Sequence, residues 1–276
     1  MKEFLYVSLA CVCLSSCEAK QQSSQENLLT SLSGIEEQVD VVYQRHNNIW
    51  LRKHGSEDIL FAKDAYWPRW SPNGKLVAYF SSGIIKQQDL DTRKIVDLVK
   101  VKNGVALAWH PAGNWIYFST GDALNRIGTN GEIENLANSI NIRELDVSPN
   151  GTVIATVKKR GYAVVKLGPD DFDPTPLGRG CSASFSPDGQ LITVLRNNHK
   201  TVDLYSSNPS TLPQPLKYDN SVTLDNHFWT NFSDWITAET EGQHTDIVLI
   251  HRVSGNVFNV TDVGNATRGD VFIRSE

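Results

Sequence analysis

The sequence predicts an all-β fold, a six-bladed β-propeller built from four-stranded antiparallel blades. One hairpin pattern recurs along the chain, in which an apolar anchor residue, a tight turn and a new strand follow one another. The anchors of five copies are Trp70, Trp109, Val147, Phe185 and Trp229, which are 39, 38, 38 and 44 residues apart. Self-similarity at about 40 to 45 residues, with several short strands per repeat, is typical of β-propellers.

The copies share one turn chemistry. In the clearest copy Trp70 ends a strand, Ser71-Pro72-Asn73-Gly74 forms the turn, and alternating apolar side chains resume at Leu76. Proline suits the second position of such a turn because its φ is already set, and glycine supplies the positive φ that closes it. The fifth copy, residues 229–236, lacks Pro and Gly but keeps the same step of six residues from anchor to strand. The pattern therefore predicts five similar hairpins.

Each complete repeat supplies four predicted strands. In chain order they are 66–70, 76–81, 84–90 and 95–98; 106–109, 115–118, 123–127 and 133–136; 143–147, 153–157, 162–167 and 175–177; 183–185, 191–196, 202–205 and 214–216; and 227–229, 235–239, 246–251 and 257–260.

Strands outside these repeats predict how the ring closes. Three strands, 39–43, 48–52 and 59–62, precede the first anchor, and one strand, 268–274, follows the last repeat. One C-terminal strand joining three N-terminal strands makes a sixth blade and leaves no open sheet edge. The propeller is therefore expected to span residues 39–276.

The first 17 residues predict a lipoprotein signal peptide. The apolar run 4–14 is too short for a membrane span, which needs roughly 20 apolar residues. Leu14-Ser15-Ser16-Cys17 resembles the lipobox of bacterial lipoproteins, in which the signal is cut before a cysteine that is then acylated. Cys17 is thus the expected lipidation site, and an ordinary secretory signal cut a few residues later is the alternative. Residues 18–38, which begin with a polar, aperiodic stretch, are expected to form a flexible tether.

This leader places the protein in the bacterial cell envelope, lipid-anchored on the periplasmic side of either membrane or at the cell surface. The net charge of −5 provides no basic footprint, which argues against a nucleic acid partner. If the signal is cut before Cys17, Cys181 is the one remaining thiol and no disulfide forms within the mature chain. We expect a monomer.

The repeats resemble those of the TolB family, whose units carry Trp-Ser-Pro-Asp-Gly followed by an apolar strand. Phe185-Ser186-Pro187-Asp188-Gly189 matches this motif nearly in full, and residues 70–74 replace only Asp by Asn. The resemblance covers about residues 39–276 and implies the propeller fold. TolB also has an N-terminal α/β domain, and the expectation here is the propeller without it.

Motifs for chemistry are sparse. The sequence has no Gly-x-Ser-x-Gly elbow, no His-x-x-x-His pair and no calcium-loop spacing, so neither catalytic residues, a metal site nor a cofactor is expected. Cys181 is interpreted as a small buried residue rather than a nucleophile. Arg268-Gly269-Asp270 has the integrin-recognition tripeptide and is interpreted as a turn that enters the last strand.

The face opposite the Ser-Pro-Asn-Gly turns is the predicted binding face, because the remaining loops gather there around the funnel mouth. Aromatic residues beside arginines are favoured as interface anchors. The candidate partner-binding residues on this face are Tyr66, Trp67, Arg160, Arg179, Arg196, His199, His227 and His244.

The predicted function is non-catalytic binding of an envelope protein or peptide at this mouth. The alternative is a propeller lyase or glycan-active enzyme in which His199, His227 and His244 act in the funnel, and that chemistry requires the three side chains to converge. A structural or assembly role without a discrete ligand is a third possibility.

Overall fold

The computed structural model describes residues 38–158, 161–207, 212–218 and 222–274. Within these ranges the chain forms six four-stranded sheets with antiparallel pairing, which confirms the predicted six-bladed propeller. The first strands of successive blades contact one another around the ring and enclose a central channel. None of the described segments is a helix of the length and apolarity needed to cross a bilayer.

The strands run from the channel outward in each blade. Blade 1 holds β24 (Ala266–Ile273), β1 (Val39–Arg45), β2 (Asn48–Arg52) and β3 (Ile59–Ala62); blade 2 holds β4 (Ala65–Trp70), β5 (Leu76–Ser81), β6 (Ile84–Asp89) and β7 (Ile95–Lys100); blade 3 holds β8 (Ala106–Trp109), β9 (Trp115–Ser119), β10 (Ala123–Gly128) and β11 (Ile133–Asn138). Blade 4 holds β12 (Ile142–Val147), β13 (Val153–Lys158), β14 (Tyr162–Leu167) and β15 (Pro174–Arg179); blade 5 holds β16 (Ser182–Phe185), β17 (Leu191–Arg196), β18 (Thr201–Ser206) and β19 (Gln214–Pro215); blade 6 holds β20 (Leu224–Trp229), β21 (Trp235–Thr240), β22 (Ile247–His251) and β23 (Val257–Asn259).

Blade 1 closes the ring as predicted, with the C-terminal strand as its innermost member. β24 pairs with β1, and Val271 lies opposite Val41. The guanidinium of Arg274 also donates to Asp40 at 2.6 and 3.0 Å. Because the first and last described strands share one sheet, the ring has no open edge at its point of closure.

The turn residues act through their side chains as well as their backbone angles. Ser71 Oγ donates to Asn73 Oδ1 at 2.8 Å and accepts the N–H of Leu76 at 2.9 Å. Gly74 has a φ of 68° and donates its N–H to the Ser71 carbonyl. The predicted positive φ of this glycine is therefore confirmed, and the serine hydroxyl fixes where the next strand begins.

The anchors join neighbouring blades. Trp70 Nε1 donates to the carbonyl of Asp270, and Trp109 Nε1 donates to the carbonyl of Arg69, so each indole bonds to the inner strand of the preceding blade. These side chains are also buried apolar surface, because Trp70 and Trp109 are only 6% and 7% exposed. In these two blades the anchor thus supplies both a hydrophobic contact and a directional bond, whereas the buried Nε1 of Trp229 has no hydrogen-bond partner.

Candidate functional site

Two faces of the ring are defined by strand direction. The turns between the first and second strands of each blade lie on one face, here called the turn face. Since successive strands are antiparallel, the connections from second to third strand lie on the other face, here called the mouth face.

Residues that directly precede the anchors project into the channel. Val271 occupies the anchor position of blade 1, because it pairs with β1 as Trp70 pairs with β5. The six residues at the preceding position are Arg69, Ala108, Asp146, Ser184, Phe228 and Asp270. Three of the six are charged: Arg69 and Asp270 are buried, and Asp146 is half-buried.

A cavity of about 250 Å³ opens from this layer onto the turn face. Its walls include the anchors Trp70, Trp109, Phe185 and Trp229. Its floor carries Arg69 with Asp146 and Asp270, and the walls are aromatic where the floor is charged. We call this the turn-face pocket.

Arg69 is a buried cation at the floor of the turn-face pocket. Its guanidinium carbon lies 3.6 Å from the ring centre of Phe228 and 5.6 Å from that of Trp67. Nη1 donates to the Pro68 carbonyl at 3.1 Å, whereas Nε and Nη2 are buried without a hydrogen-bond partner. Burial lowers the pKa of this guanidinium, and the nearby carboxylates of Asp270 and Asp146 oppose that effect.

Asp146 is held by bonds that cross between blades 4 and 5. It accepts the Ser184 hydroxyl at 2.6 Å and the Phe185 N–H at 2.9 Å, and the N–H of Val147 at 2.8 Å. Burial raises its pKa, and these donors act in the opposite direction. Asp146 therefore has a clear structural role.

Asp270 performs a similar function between blades 1 and 2, because its Oδ2 accepts the N–H of Trp70 at 2.7 Å. Burial raises the pKa of Asp270 to about 6, with Arg69 opposing the shift. The carboxylate is thus ionised at neutral pH but close to its titration range.

A second layer of the channel is built from strained backbone. Trp67, Asn226 and Arg268 have φ values of 58°, 39° and 51°. Each lies three residues before an anchor, and each coincides with a register shift in its sheet. Positive φ is unusual for non-glycine residues and tends to persist at functional sites. Three adjacent blades, 6, 1 and 2, share this bulge.

The bulges bring charge and aromatic surface together towards the mouth face. The Arg268 guanidinium carbon lies 3.9 Å from the ring centre of Trp67. The backbone N–H of Arg268 and the side-chain amide of Asn226 both donate to the carboxylate of Glu239. Burial lowers the pKa of Arg268 and raises that of Glu239. Glu144 belongs to the same charge network, through its electrostatic contact with Arg268.

Glu144 predicts a pH dependence of stability. Burial raises its pKa from 4.5 to about 8, so the native state holds a proton that the unfolded state loses near pH 4.5. The native stability this proton provides is lost as the pH rises through 8. His227 has the opposite sign below pH 6.5, because burial lowers its pKa to about 4. We expect the free energy of unfolding to fall by about 1 to 2 kcal/mol between pH 6.5 and 8.

Glu144→Gln tests this assignment. Urea unfolding followed at pH 6.5, 7.2 and 8 should show that the slope of stability against pH in this range is largely removed in the variant. A slope that stays unchanged in Glu144→Gln would assign the titration to another group.

The mouth face has two separate cavities lined by predicted residues. One, of about 460 Å³, is lined by Tyr66 and Trp67 together with Arg268. Trp67 is 1% exposed, and its indole N–H donates to the Leu107 carbonyl at 3.2 Å. The ring therefore forms a wall of the cavity rather than a protruding anchor. Tyr66 is half-buried and stacks on Phe80.

The other mouth-face cavity, of about 420 Å³, brings Arg179, Arg196 and His199 together. Arg196 forms an ion pair with Asp203 at 3.0 Å and donates to the carbonyl of Arg179. Its guanidinium is thus already engaged with both blade 4 and blade 5. His199 Nδ1 lies 3.1 Å from Glu241 Oε2, and Arg179 is exposed.

The remaining predicted residues are dispersed. His227 is completely buried, and neither ring nitrogen has a side-chain or backbone partner at hydrogen-bond geometry. His244 is exposed in the loop between β21 and β22. Of the three histidines named for the enzyme alternative, His199 is the one that lines any of the five described cavities. These three side chains therefore do not share a pocket.

Two predicted positions, Cys17 and Arg160, lie outside the described residues. Cys181 is a free, half-buried thiol, and burial raises its pKa to about 12. A thiol with this pKa is a poor nucleophile at neutral pH. In the described part of the chain, no group of three or more His, Cys, Asp or Glu side chains could hold a metal ion.

Sequence reasoning missed the charged residues of the channel. The sequence predicts that Arg268-Gly269-Asp270 forms a turn before the last strand, and this prediction is wrong. The tripeptide lies inside β24, and Asp270 is buried. A side chain on Gly269 would lie 2.5 Å from Ile247, so the tripeptide is packed between blades. Arg69, Asp146 and Asp270 each directly precede an anchor position, and this shared position in the repeat could have identified them.

Comparison with solved structures shows the same architecture. TolB from Acinetobacter baumannii matches with a TM-score of 0.67 and 15% identity, over 88% of this chain and 69% of that chain. A chain from the nidogen/laminin complex matches with a TM-score of 0.68 and 10% identity, over 85% of this chain and 98% of that chain. Hydrazine synthase from Kuenenia stuttgartiensis matches with a TM-score of 0.52 and 15% identity, over 72% of this chain and 67% of that chain.

Sequence comparison adds no relative, since no protein-family model and no curated protein matches the chain. At these identities the structural likeness concerns the fold alone. The described residues form a six-bladed β-propeller, and its fold is similar to that of TolB.

Proposed function

We propose that this chain is a lipid-anchored protein of the bacterial envelope whose propeller binds a protein or peptide segment at the mouth face. The observation that carries the proposal is the trio of bulges at Trp67, Asn226 and Arg268. Each non-glycine residue held at positive φ costs about 1 to 3 kcal/mol, and such strain is kept where geometry matters. Two of the three residues, Trp67 and Arg268, line a cavity on the mouth face.

The cavity beside the trio has the character of a recognition pocket. It combines the Trp67 and Tyr66 rings with the cationic Arg268 and with polar groups of Gln44, Asn47 and Asp64. Aromatic and arginine side chains at a concave surface suit the burial of a few anchor residues from a partner. The nidogen/laminin complex supplies an analogy, since a chain of similar fold is crystallised there as part of a protein complex.

The residues proposed to contact the partner differ from those predicted from the sequence. Tyr66, Arg179, His199 and His244 remain candidates, because they are accessible or line mouth-face cavities. Trp67 and Arg196 shape the surface from within. The enzyme alternative gains no support from the dispersed histidines, and non-catalytic binding is the reading that the geometry favours.

Site-specific photocrosslinking in intact cells tests the face. A photoreactive amino acid at Asn47, an exposed residue of the mouth-face cavity, should give one or a few discrete protein adducts. The matched control is the same amino acid at Asn130, an exposed residue in the β10 to β11 connection on the turn face. Equal adducts at both positions, or none at Asn47, would contradict binding at the mouth.

The lipid anchor has a separate test. In the unaltered chain we expect the protein to sediment with membranes and its N-terminal peptide to carry acyl mass on Cys17. Cys17→Ser should move the protein into the soluble fraction without changing its thermal unfolding. Membrane association that survives Cys17→Ser would remove the anchor from the proposal.

A further inference from the structure

The turn-face pocket lies on the side of the ring opposite the proposed partner surface. No part of the mouth-face proposal uses its charged floor. Arg69 is 5% exposed and Asp270 is 9% exposed, yet both line a cavity that reaches the surface between the anchor side chains. Buried charges in a cavity with an opening require an explanation of their own.

Arg69 is the least satisfied of these groups. Nε and Nη2 have no hydrogen-bond partner, and among the described residues no carboxylate oxygen lies within the 4.0 Å of an ion pair. Stacking on Phe228 orients the guanidinium but satisfies none of its N–H donors. A buried donor without an acceptor costs about 1 to 3 kcal/mol, and more when it is charged. An acceptor that enters the pocket would recover that free energy.

Asp270 provides the complementary group. Its hydrogen bonds in the described chain come from backbone N–H groups, at Trp70 and at Val271. A carboxylate has about four acceptor positions, so lone pairs of Asp270 stay available to a donor. The pocket therefore presents both a donor set and an acceptor set.

The charge balance decides which ligand class fits. The floor holds one guanidinium and two carboxylates, Asp146 and Asp270. A simple anion would pair with Arg69 but would be repelled by both acids, and a simple cation would leave the donors of Arg69 unmatched. A molecule with an acceptor and a cationic donor close together meets both requirements.

We propose that the turn-face pocket binds a small zwitterion with α-amino acid chemistry. The carboxylate of the ligand accepts from Arg69, its ammonium donates to Asp270, and an apolar side chain packs against Trp70, Trp109 and Trp229. The ammonium also gains from the aromatic walls through cation–π attraction. The cavity of about 250 Å³ restricts the ligand to roughly the size of one amino acid.

Calorimetric titration of the full chain with L-leucine tests the proposal. Two analogues isolate the two charges: 4-methylpentanoate lacks the ammonium group, and leucinamide lacks the carboxylate. We expect saturable binding of leucine, with each analogue at least about tenfold weaker, which corresponds to about 1.4 kcal/mol. No binding of leucine up to about 10 mM, or equal affinity for 4-methylpentanoate, would overturn the proposal.

Variants connect the selectivity to the named groups. Asp270→Asn should weaken leucine and leucinamide by about tenfold or more while leaving 4-methylpentanoate unchanged or tighter. The amide can still accept the Trp70 N–H, so the fold is expected to persist, and circular dichroism checks it. If Asp270→Asn weakens all three ligands equally, the assigned contact is wrong.

A tripeptide distinguishes two sources of the same chemistry. Leu-Gly-Gly keeps the ammonium and places a carbonyl where leucine has its carboxylate. Leucinamide has the same arrangement, so we expect Leu-Gly-Gly to bind at least about tenfold more weakly than leucine, which assigns the pocket to a free amino acid. Binding as tight as that of leucine would overturn the contact between the ligand carboxylate and Arg69 and would assign the pocket to the amino terminus of a peptide. Photocrosslinking at Asn47 is independent of this pocket, so a failure of either proposal can be told from a failure of the other.

Discussion

Replacing Asp146 by Ala should lower the free energy of unfolding by about 3 to 5 kcal/mol, because the variant leaves buried groups without partners. Asp146 accepts the Phe185 N–H and the Ser184 hydroxyl across the boundary between blades 4 and 5. It also offsets the buried charge of Arg69. For a domain of this size the loss corresponds to a fall in Tm of about 6 to 20 °C.

Asp188→Ala is the matched control. Asp188 is in blade 5, accepts a serine hydroxyl at 2.5 Å and the Gln190 N–H at 3.0 Å, and is exposed. Its hydrogen bonds resemble those of Asp146, but water can replace them, and the expected cost is about 1 kcal/mol. Urea unfolding of the two variants measures the difference. Equal losses would show that burial between the blades does not govern the contribution of Asp146.

The fold could be read from sequence because its determinants are local. Each hairpin is specified within about ten residues by the anchor, the turn and the strand that follows. The Ser71 hydroxyl and the Asn73 carboxamide bond to each other and to the incoming strand, so the turn fixes its own register. The ring closure followed from counting strands, which requires no knowledge of contacts.

The channel could not be read in this way because its determinants lie in different blades. The Arg69 guanidinium stacks on Phe228 and interacts electrostatically with Asp146 and Asp270, and these residues are far apart in sequence. Each charged residue alone fits the polar side of an exposed strand. Only the arrangement of the six inner strands shows that these side chains line one pocket.

The mouth residues show a second limit, which is the backbone bulge. The sequence predicts Trp67 at the mouth because the connections into the inner strands gather there, and Trp67 does line a mouth-face cavity. Its positive φ and the register shift turn the indole inward, where it is 1% exposed. No residue type in this stretch signals a left-handed conformation, since Gly, Asn and Asp are the residues that usually adopt it. His227 follows a bulge at Asn226 and is buried for a related reason.

Gly255→Ala should be the most damaging of the glycine substitutions in turns, with an expected loss of about 3 to 5 kcal/mol. Gly255 has a φ of 76°, and a Cβ there would lie 1.9 Å from the Lys217 carbonyl oxygen. The turn between β22 and β23 in blade 6 therefore has to move away from the segment after β19 in blade 5. Backbone atoms cannot give way as a flexible side chain does.

Gly55→Ala separates the two causes. Gly55 has a similar φ of 63°, but a Cβ there would have no neighbour within 4 Å. Its loss is expected to be about 1 kcal/mol, which is the cost of the left-handed conformation alone. Thermal unfolding of both variants should differ by at least about 4 °C. If the two variants unfold at the same temperature, the close approach between blades 5 and 6 does not limit stability. If they differ as expected, Gly255 is required because of the contact between neighbouring blades and not because of the turn itself.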